Sequence, residues 1–399
     1  MKKKIVILTS FFCGWNGGVD LICYFLKAIC LKSKKYSIYI FIPKNNFVSN
    51  FKKLLSPIFK FLNFIFLGKR NLNFEWKYKR GSESIEKFVL ENLKKKNIKI
   101  VYVDYINEKR DIKKINPDII FPVLDNQYNK TKAIGYIFDL QHEYFKENFS
   151  KQIINQRRYE LNKLSKLDNF FVNSKQTRDD LVKFHKNFKD KKISVIPFTP
   201  NIQKKFLSQK INYQKFYRSN NKYFIICNQF WKHKNHLYAL KTFEEYIKRK
   251  GKYNLILTGD INNVKNVDYI NKIKKYLFNP IFKDRVFYTG NIEKEYQMAL
   301  LKNSRALIQP SSFEGGPGAG AINEAISLDL PIIAFKIKIY KEIHYKKISY
   351  FNSNNQLLSK LFYFEKIKKK KFNKEKQLKM INQSIMKCSK FFIKTFDRF

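Results

Sequence analysis

The chain has 399 residues, 44% hydrophobic and 17% aromatic, with only 13 Gly and 10 Pro. At roughly 100–200 residues per domain this allows about two or three domains, and the composition excludes a disordered, collagen-like or Gly/Pro linker protein. Eighty Lys and Arg against 32 Asp and Glu give a formal net charge of +48, which excludes indifference to anions but does not choose between nucleotide phosphates, nucleic acid and acidic lipid. A low-GC genome would give such a charge without selection for binding, since Lys, Asn, Ile, Phe and Tyr are all abundant and share A/T-rich codons.

Near-continuous apolar runs predict strands at Ile5–Thr9, Ser37–Ile42, Ile98–Val103, Ile119–Val123, Ala133–Phe138, Phe170–Val172 and Ile193–Ile196. Continuous rather than alternating runs mark strands buried on both faces of a parallel sheet. Helical patterns lie between several of them, at Val19–Leu31, Lys151–Leu167 and Thr177–Phe184. From Pro197 to about Asn221 the pattern pauses, with two prolines, several Asn and Ser and no clear strand. It then restarts. Strands are expected at Tyr223–Cys227, Asn254–Thr258, Val286–Tyr288, Ala306–Gln309 and Ile332–Phe335. The helices between them are His236–Lys250, Asn266–Leu277, Lys294–Lys302 and Ala319–Leu328, and a basic helical tail follows from Asn355.

This alternation predicts an α/β protein of two Rossmann-like, doubly wound parallel-sheet domains with a cleft between them. The expected division is 1–197 for the first domain, 198–221 for a linker and 222–385 for the second domain. Residues 386–399 form a terminal helix that can return to the first domain.

The five cysteines (Cys13, Cys23, Cys30, Cys227 and Cys388) form no C-x-x-C pair and no Cys/His zinc pattern. They read as free thiols in a reducing compartment. Lys2–Lys4 followed by Ile5–Phe12 has the look of a short leader, but Asn16 and Asp20 interrupt it and a first buried strand is the better reading. No stretch reaches about 18 uncharged apolar residues, so no transmembrane helix is expected.

The sharpest segment is Ile308–Phe335, IQPSSFEGGPGAGAINEAISLDLPIIAF. A strand runs into a loop with Glu314, Gly315, Gly316 and Gly318, and a helix follows from about Ala319 that carries Glu324 one turn in. Small residues let backbone amides approach a ligand, and a helix N-terminus favours negative charge. The loop therefore suits a phosphate or a sugar edge flanked by two carboxylates. Three other strand ends carry polar clusters. Phe12–Asp20, FCGWNGGVD, joins the first strand to a helix through Gly17 and Gly18. It lacks the G-x-G-x-x-G spacing of a dinucleotide enzyme. Gly135–Phe149, GYIFDLQHEYFKENF, puts Asp139, Gln141 and His142 at the carboxyl edge of the sheet, where ligands bind in such folds. Cys227–His236, CNQFWKHKNH, places Gln229, Lys232 and Lys234 after a strand.

Together these segments resemble the retaining glycosyltransferases of family 4, which have the GT-B fold. The resemblance runs from the first strand to about Phe335. It implies that Glu314 contacts the transferred sugar and Glu324 the nucleotide ribose, as in the family's E-x7-E motif, although here nine residues separate the two. It implies that Lys234 grips the donor diphosphate as the lysine of a G-R-x4-K pattern. Gln229 stands in for the arginine, and Lys232 is a nearby cation able to replace it. Cations at a leaving diphosphate are worth about 2.7–4 kcal/mol per good donor, by analogy with oxyanion holes. It further implies that Gly17 and Gly18 face the donor phosphates across the cleft, that His142 lies near the transferred sugar in a D-x-Q-H segment, and that Ser174 matches a serine after a strand.

Residues 43–97 match no pattern. Within them Phe51–Gly68, FKKLLSPIFKFLNFIFLG, is apolar and aromatic, and Lys69 and Arg70 follow it. Too short to span a bilayer, it suits either an interfacial segment with Phe61 and Phe64 in the acyl boundary or a buried core helix.

The expectation is a hexosyltransferase moving sugar from a GDP- or UDP-sugar to a saccharide or lipid-linked acceptor, with retention and without a metal or other cofactor. Its setting would be cytoplasmic, at the inner face of the membrane, in surface polysaccharide or lipopolysaccharide assembly. A GT-B epimerase or inverting transferase is the alternative on the same fold. A basic nucleic-acid-binding protein is the alternative of another class, and the chain lacks its zinc-finger, RNP or basic-zipper motifs.

Overall fold

The computed structural model describes residues 2–14, 16–44, 79–93, 95–104, 108–124, 128, 131–200, 202–208, 210–262, 267–368 and 372–399. Phe61, Phe64, Lys69 and Arg70, and with them the interfacial reading of 51–68, lie outside the described residues.

Two parallel sheets organise the chain. The first has seven strands: β1 (Lys3–Leu8), β2 (Tyr36–Pro43), β3 (Ile98–Val103), β4 (Ile119–Val123), β5 (Ala133–Ile137), β6 (Asn169–Val172) and β7 (Lys192–Val195), in the order β3-β2-β1-β4-β5-β6-β7. The second has six: β8 (Tyr223–Cys227), β9 (Asn254–Thr258), β10 (Val286–Tyr288), β11 (Leu307–Gln309), β12 (Ile332–Phe335) and β13 (Ile348–Phe351), in the order β10-β9-β8-β11-β12-β13. Every recorded pairing is parallel, as Ile5↔Ile38 in β1–β2 and Ile225↔Ile256 in β8–β9 illustrate. In each sheet the winding reverses beside the first strand, between β1 and β4 and between β8 and β11. The crevices outside the carboxyl ends of those strands are the natural ligand sites.

The apolar runs of β4, β5, β8 and β9 are buried along their whole length because helices cover both faces. The helix Asn16–Leu31, a helix over residues 79–92 and the end of the last helix pack on one face of the first sheet through Phe25, Ile29, Ile85 and Phe392. Leu164, Leu181 and Phe188 pack on the other. The second sheet is covered likewise, by Ile322 and Ile385 on one side and Leu240, Ile273 and Leu361 on the other. Side-chain caps open several helices: Ser150 for Lys151–Leu164, Ser174 for Lys175–Phe184 and Ser353 for Asn354–Lys366.

Three features depart from the sequence expectation. Residues 198–221 connect the sheets, yet Ile202, Phe206, Leu207 and Tyr217 are buried in the second core. The helix expected from Ala319 begins at Ile322. Turns occupy the glycine-rich stretch before it, and Gly320 has a φ of +67° that a helix does not allow. Strand β13 was not expected; it is an edge strand that pairs only with β12, and only Phe351 of it is buried. The last helix, Lys374–Phe396, joins both halves: Ile381 and Ile385 lie in the second core, Cys388, Phe392 and Phe396 in the first.

Candidate active site

At the carboxyl edge of the second sheet, β8 ends at Cys227 and β11 at Gln309. The amides of Asn228 and Gln309, the residues at these two strand ends, bond to each other at 3.1 Å, Asn228 Nδ2 donating to Gln309 Oε1. Gln309 Nε2 donates to Ser311 Oγ at 2.9 Å and to Glu314 Oε1 at 3.0 Å. Lys234 Nζ then clasps both Glu314 oxygens at 2.6 and 2.7 Å. Lys234 and Glu314 are only 8% and 6% exposed, so this is a charge pair withdrawn from water at the switch point. Well-packed apolar residues are often as stable as such a pair, so its burial is not by itself a source of stability. Lys234 closes the short helical turn Lys232–Lys234, and Asn235 follows in a left-handed conformation (φ +56°) that turns the chain into the helix His236–Lys248.

The other members of the C-terminal set are placed differently. Glu324, the third residue of its helix, accepts from Lys294 Nζ at 2.6 Å. Gln229 is exposed and its side chain accepts from the Asp260 amide at 3.1 Å, and Lys232 is exposed on the neighbouring turn. Gly315 and Gly316 press against the first domain: a Cβ on Gly315 would come within 2.7 Å of Asp139 Cβ and Phe138 O, and one on Gly316 within 3.1 Å of Asn173 Cβ. Thr177 Oγ1, near the start of the helix Lys175–Phe184, donates to Gly315 O at 3.1 Å. The glycine loop thus doubles as the surface on which the two domains meet. Gly318 lies in the following turn, against the amide of Asn323.

On the first domain, Gly17 and Gly18 occupy the first turn of the helix after β1. Asp139 and Gln141 follow β5, and Asp139 Oδ1 accepts from the Gln141 amide at 3.1 Å. Gln141 crosses the cleft, its Nε2 lying 2.6 Å from His233 Nδ1, next to Lys234. His142, expected near the sugar, is 1% exposed and turned into its own domain. Its Nε2 lies 3.5 Å from Glu143 Oε1, and His185 Nε2 lies 3.5 Å from the same oxygen. Burial, reinforced by Arg157, pushes His142 down to about 4, so its ring is neutral near pH 7. These three residues bring one metal-ligand atom each within 4.8 Å of one another. Arg158, however, donates to both Glu143 oxygens at 2.8 and 2.5 Å and supplies there the positive charge that a metal would. Ser174 caps its helix through the Thr177 amide at 2.9 Å, a structural role.

Sequence reasoning missed Asn228, Gln309, Ser311, His233, Asp20 and Lys294. A polar residue at the carboxyl end of an apolar strand was a usable signal for Asn228 and Gln309. Lys294 had none, as one of 80 basic residues.

Residues 208–381 match the sequence model of the family described as "Glycosyl transferases group 1". A stretch of 129 residues is 33% identical to the serotype-specific mannosyltransferase WbdA of Escherichia coli, covering 32% of this chain and 15% of that protein's length. Among solved structures, sucrose-phosphate synthase from Thermosynechococcus elongatus superposes with a TM-score of 0.62 at 12% identity over 100% of both chains. A glycosyltransferase from Rickettsia africae does so with a TM-score of 0.58 at 15% identity over 100% of this chain and 98% of that one. Anabaena HepE, solved in complex with UDP and glucose, gives a TM-score of 0.58 at 11% identity over 100% of both. The chain has the GT-B fold, and within it residues 208–381 are similar to the glycosyltransferase group 1 family.

Proposed function

We propose that the protein is a retaining hexosyltransferase that moves a sugar from a GDP- or UDP-sugar to a saccharide or lipid-linked acceptor in cell-surface polysaccharide assembly. The observation that carries this reading is the buried Lys234–Glu314 pair at the β8/β11 switch point of a glycosyltransferase group 1 domain. The mannosyltransferase relative supports a hexose such as mannose, and the neighbour holding UDP and glucose supports a nucleotide-sugar donor.

In this reading the donor lies against the second domain and the acceptor over the first. Lys234 exchanges part of its contact with Glu314 for the diphosphate and stabilises the charge that develops as the glycosidic C–O bond breaks. Glu314, freed on one oxygen, accepts hydrogen bonds from the sugar hydroxyls and is held by Gln309. Glu324 accepts from the ribose hydroxyls. Gln141 and His233 close the cleft from opposite sides and exclude water that would hydrolyse the donor. No step in this scheme calls on a metal. The described residues include no helix long and apolar enough to cross a membrane, and the reading places the enzyme at the cytoplasmic membrane face, where a lipid-linked acceptor is met.

The test is product analysis. Candidate acceptors are incubated with GDP-mannose, UDP-glucose and UDP-N-acetylglucosamine, and the anomeric configuration of any product is read by NMR. A product with the donor's configuration supports the proposal, and an inverted linkage rejects retention.

A further inference from the structure

Lys294, the first residue of the helix Lys294–Asn303, holds two carboxylates from opposite halves of the molecule. Its Nζ donates to Glu324 Oε1 at 2.6 Å and to Asp20 Oδ2 at 3.0 Å. Asp20 belongs to the helix Asn16–Leu31, whose first turn carries Gly17 and Gly18. The cluster sits at the carboxyl end of β8. There burial pushes the Cys227 thiol up to about 12, and the charges of both Glu324 and Lys294 reach it. Burial alone would lower the Lys294 ammonium, but Asp20 and Glu324 outweigh it and hold the group above the usual lysine range. Lys294 therefore stays charged at any working pH.

We propose that Lys294 is a positioning residue that orients Glu324 toward the ribose of the donor nucleotide and, through Asp20, ties that contact to closure of the first domain. The inference rests on the reading of Glu324 as the ribose-binding carboxylate. Among the described residues Lys294 engages only one oxygen of Glu324, and a carboxylate offers about four lone-pair positions. Lysine and a ribose diol can thus share the group, the lysine fixing its rotamer. When the first domain opens, Asp20 departs and Lys294 loses one of its two anchors. When it closes, the second anchor returns and the glycine turn comes with it. The bridge is thus made only when the domains are together, which is the condition for coupling binding to closure.

The test uses the full chain and four probes: UDP, GDP and their 2′-deoxy forms, with affinities from calorimetry. Wild-type protein should prefer one ribonucleotide over its deoxy form by about tenfold, the value of one hydrogen bond to a charged group. Lys294→Met should weaken the ribonucleotide by about that factor and the deoxy form by much less, collapsing the preference, while Lys294→Arg restores part of it. A merely electrostatic lysine would lower both affinities equally, and that result overturns the proposal, as does an unchanged preference. Asp20→Asn should reduce the compaction on nucleotide binding seen by small-angle scattering, and wild-type compaction in that variant would overturn the coupling to closure. Wild-type protein that binds none of the four probes would instead sink the glycosyltransferase reading itself, and this inference with it.

Discussion

Lys234 and Glu314 show why single residues here are tested in pairs. Removing one partner leaves a buried charge alone and costs about 3–5 kcal/mol, which alone can abolish activity by unfolding the protein. Glu314→Gln keeps the shape but leaves the Lys234 charge unpaired, so it should lower sugar transfer by about 10²–10³-fold together with a clear fall in melting temperature. The double variant Lys234→Met/Glu314→Leu should recover wild-type stability and remain inactive, as thermal melting and a nucleotide-release assay would show. A double variant that keeps turnover would remove the pair from the chemistry. Gln309 and Asn228 belong to the same chain of bonds, so Gln309→Leu should act on turnover more than on nucleotide affinity.

Packing around individual histidines predicts a pH response at the level of elements. His233 and His236 flank Lys234 on the turn after β8, and burial, helped by Lys234, pushes each down to about 3. In the unfolded chain both titrate near 6.5. Stability is therefore complete above about pH 6.5. As pH falls from there toward 3 the unfolded state takes up protons that the native state refuses, at about 1.4 kcal/mol per pH unit for each histidine. His236 stacks on Phe230 with ring centroids 4.1 Å apart, so His236→Phe should keep the packing and flatten the acid limb by about one proton, measurable by urea unfolding at pH 6, 5 and 4. An unchanged slope would show that His236 titrates normally. The last helix offers a second element-scale test: Phe392 is fully buried against Phe25, Phe121 and Phe171. Phe392→Ala should cost about 3–5 kcal/mol although it lies far along the chain from that core.

These elements also show what could be read from residues alone. Strands β1 to β12 were legible as short apolar runs, most clearly β4, β5, β8 and β9, which are buried throughout. The edge strand β13, in which Ile348, Ser349 and Tyr350 are only half-buried, was not read. The strand, small-residue loop and helix that carry Glu314 and Glu324 were legible because they follow one another in fixed order. The orientation of His142 was not, because it depends on Glu143 and His185, the latter 43 residues away. The Asp20–Lys294 contact, spanning 274 residues, has no local signature at all.

At the scale of the whole molecule the two domains meet through close backbone contact at the glycine loop and through the rings of Tyr144 and Phe145 against Phe313. Gly315 and Gly316 let the glycine loop touch Phe138, Asp139 and Asn173, and Glu342 of the second domain accepts from the Lys175 and Gln176 amides at 3.0 Å each, at the start of a helix of the first. Gly315→Ala inserts a methyl group where 2.7 Å is available, so it should hold the domains apart. Small-angle scattering should show a larger radius of gyration, and transfer should fall more than nucleotide binding. A variant as compact and as active as wild type would show that closure tolerates the extra atom. The most direct test of the central claim is calorimetric binding of UDP- and GDP-sugars to wild-type and Glu314→Gln protein. The account predicts that one nucleotide sugar binds wild type and that the variant loses the contribution of the sugar while retaining that of the nucleoside diphosphate. Equal affinity of both proteins for every nucleotide sugar, or no binding to either, would contradict it.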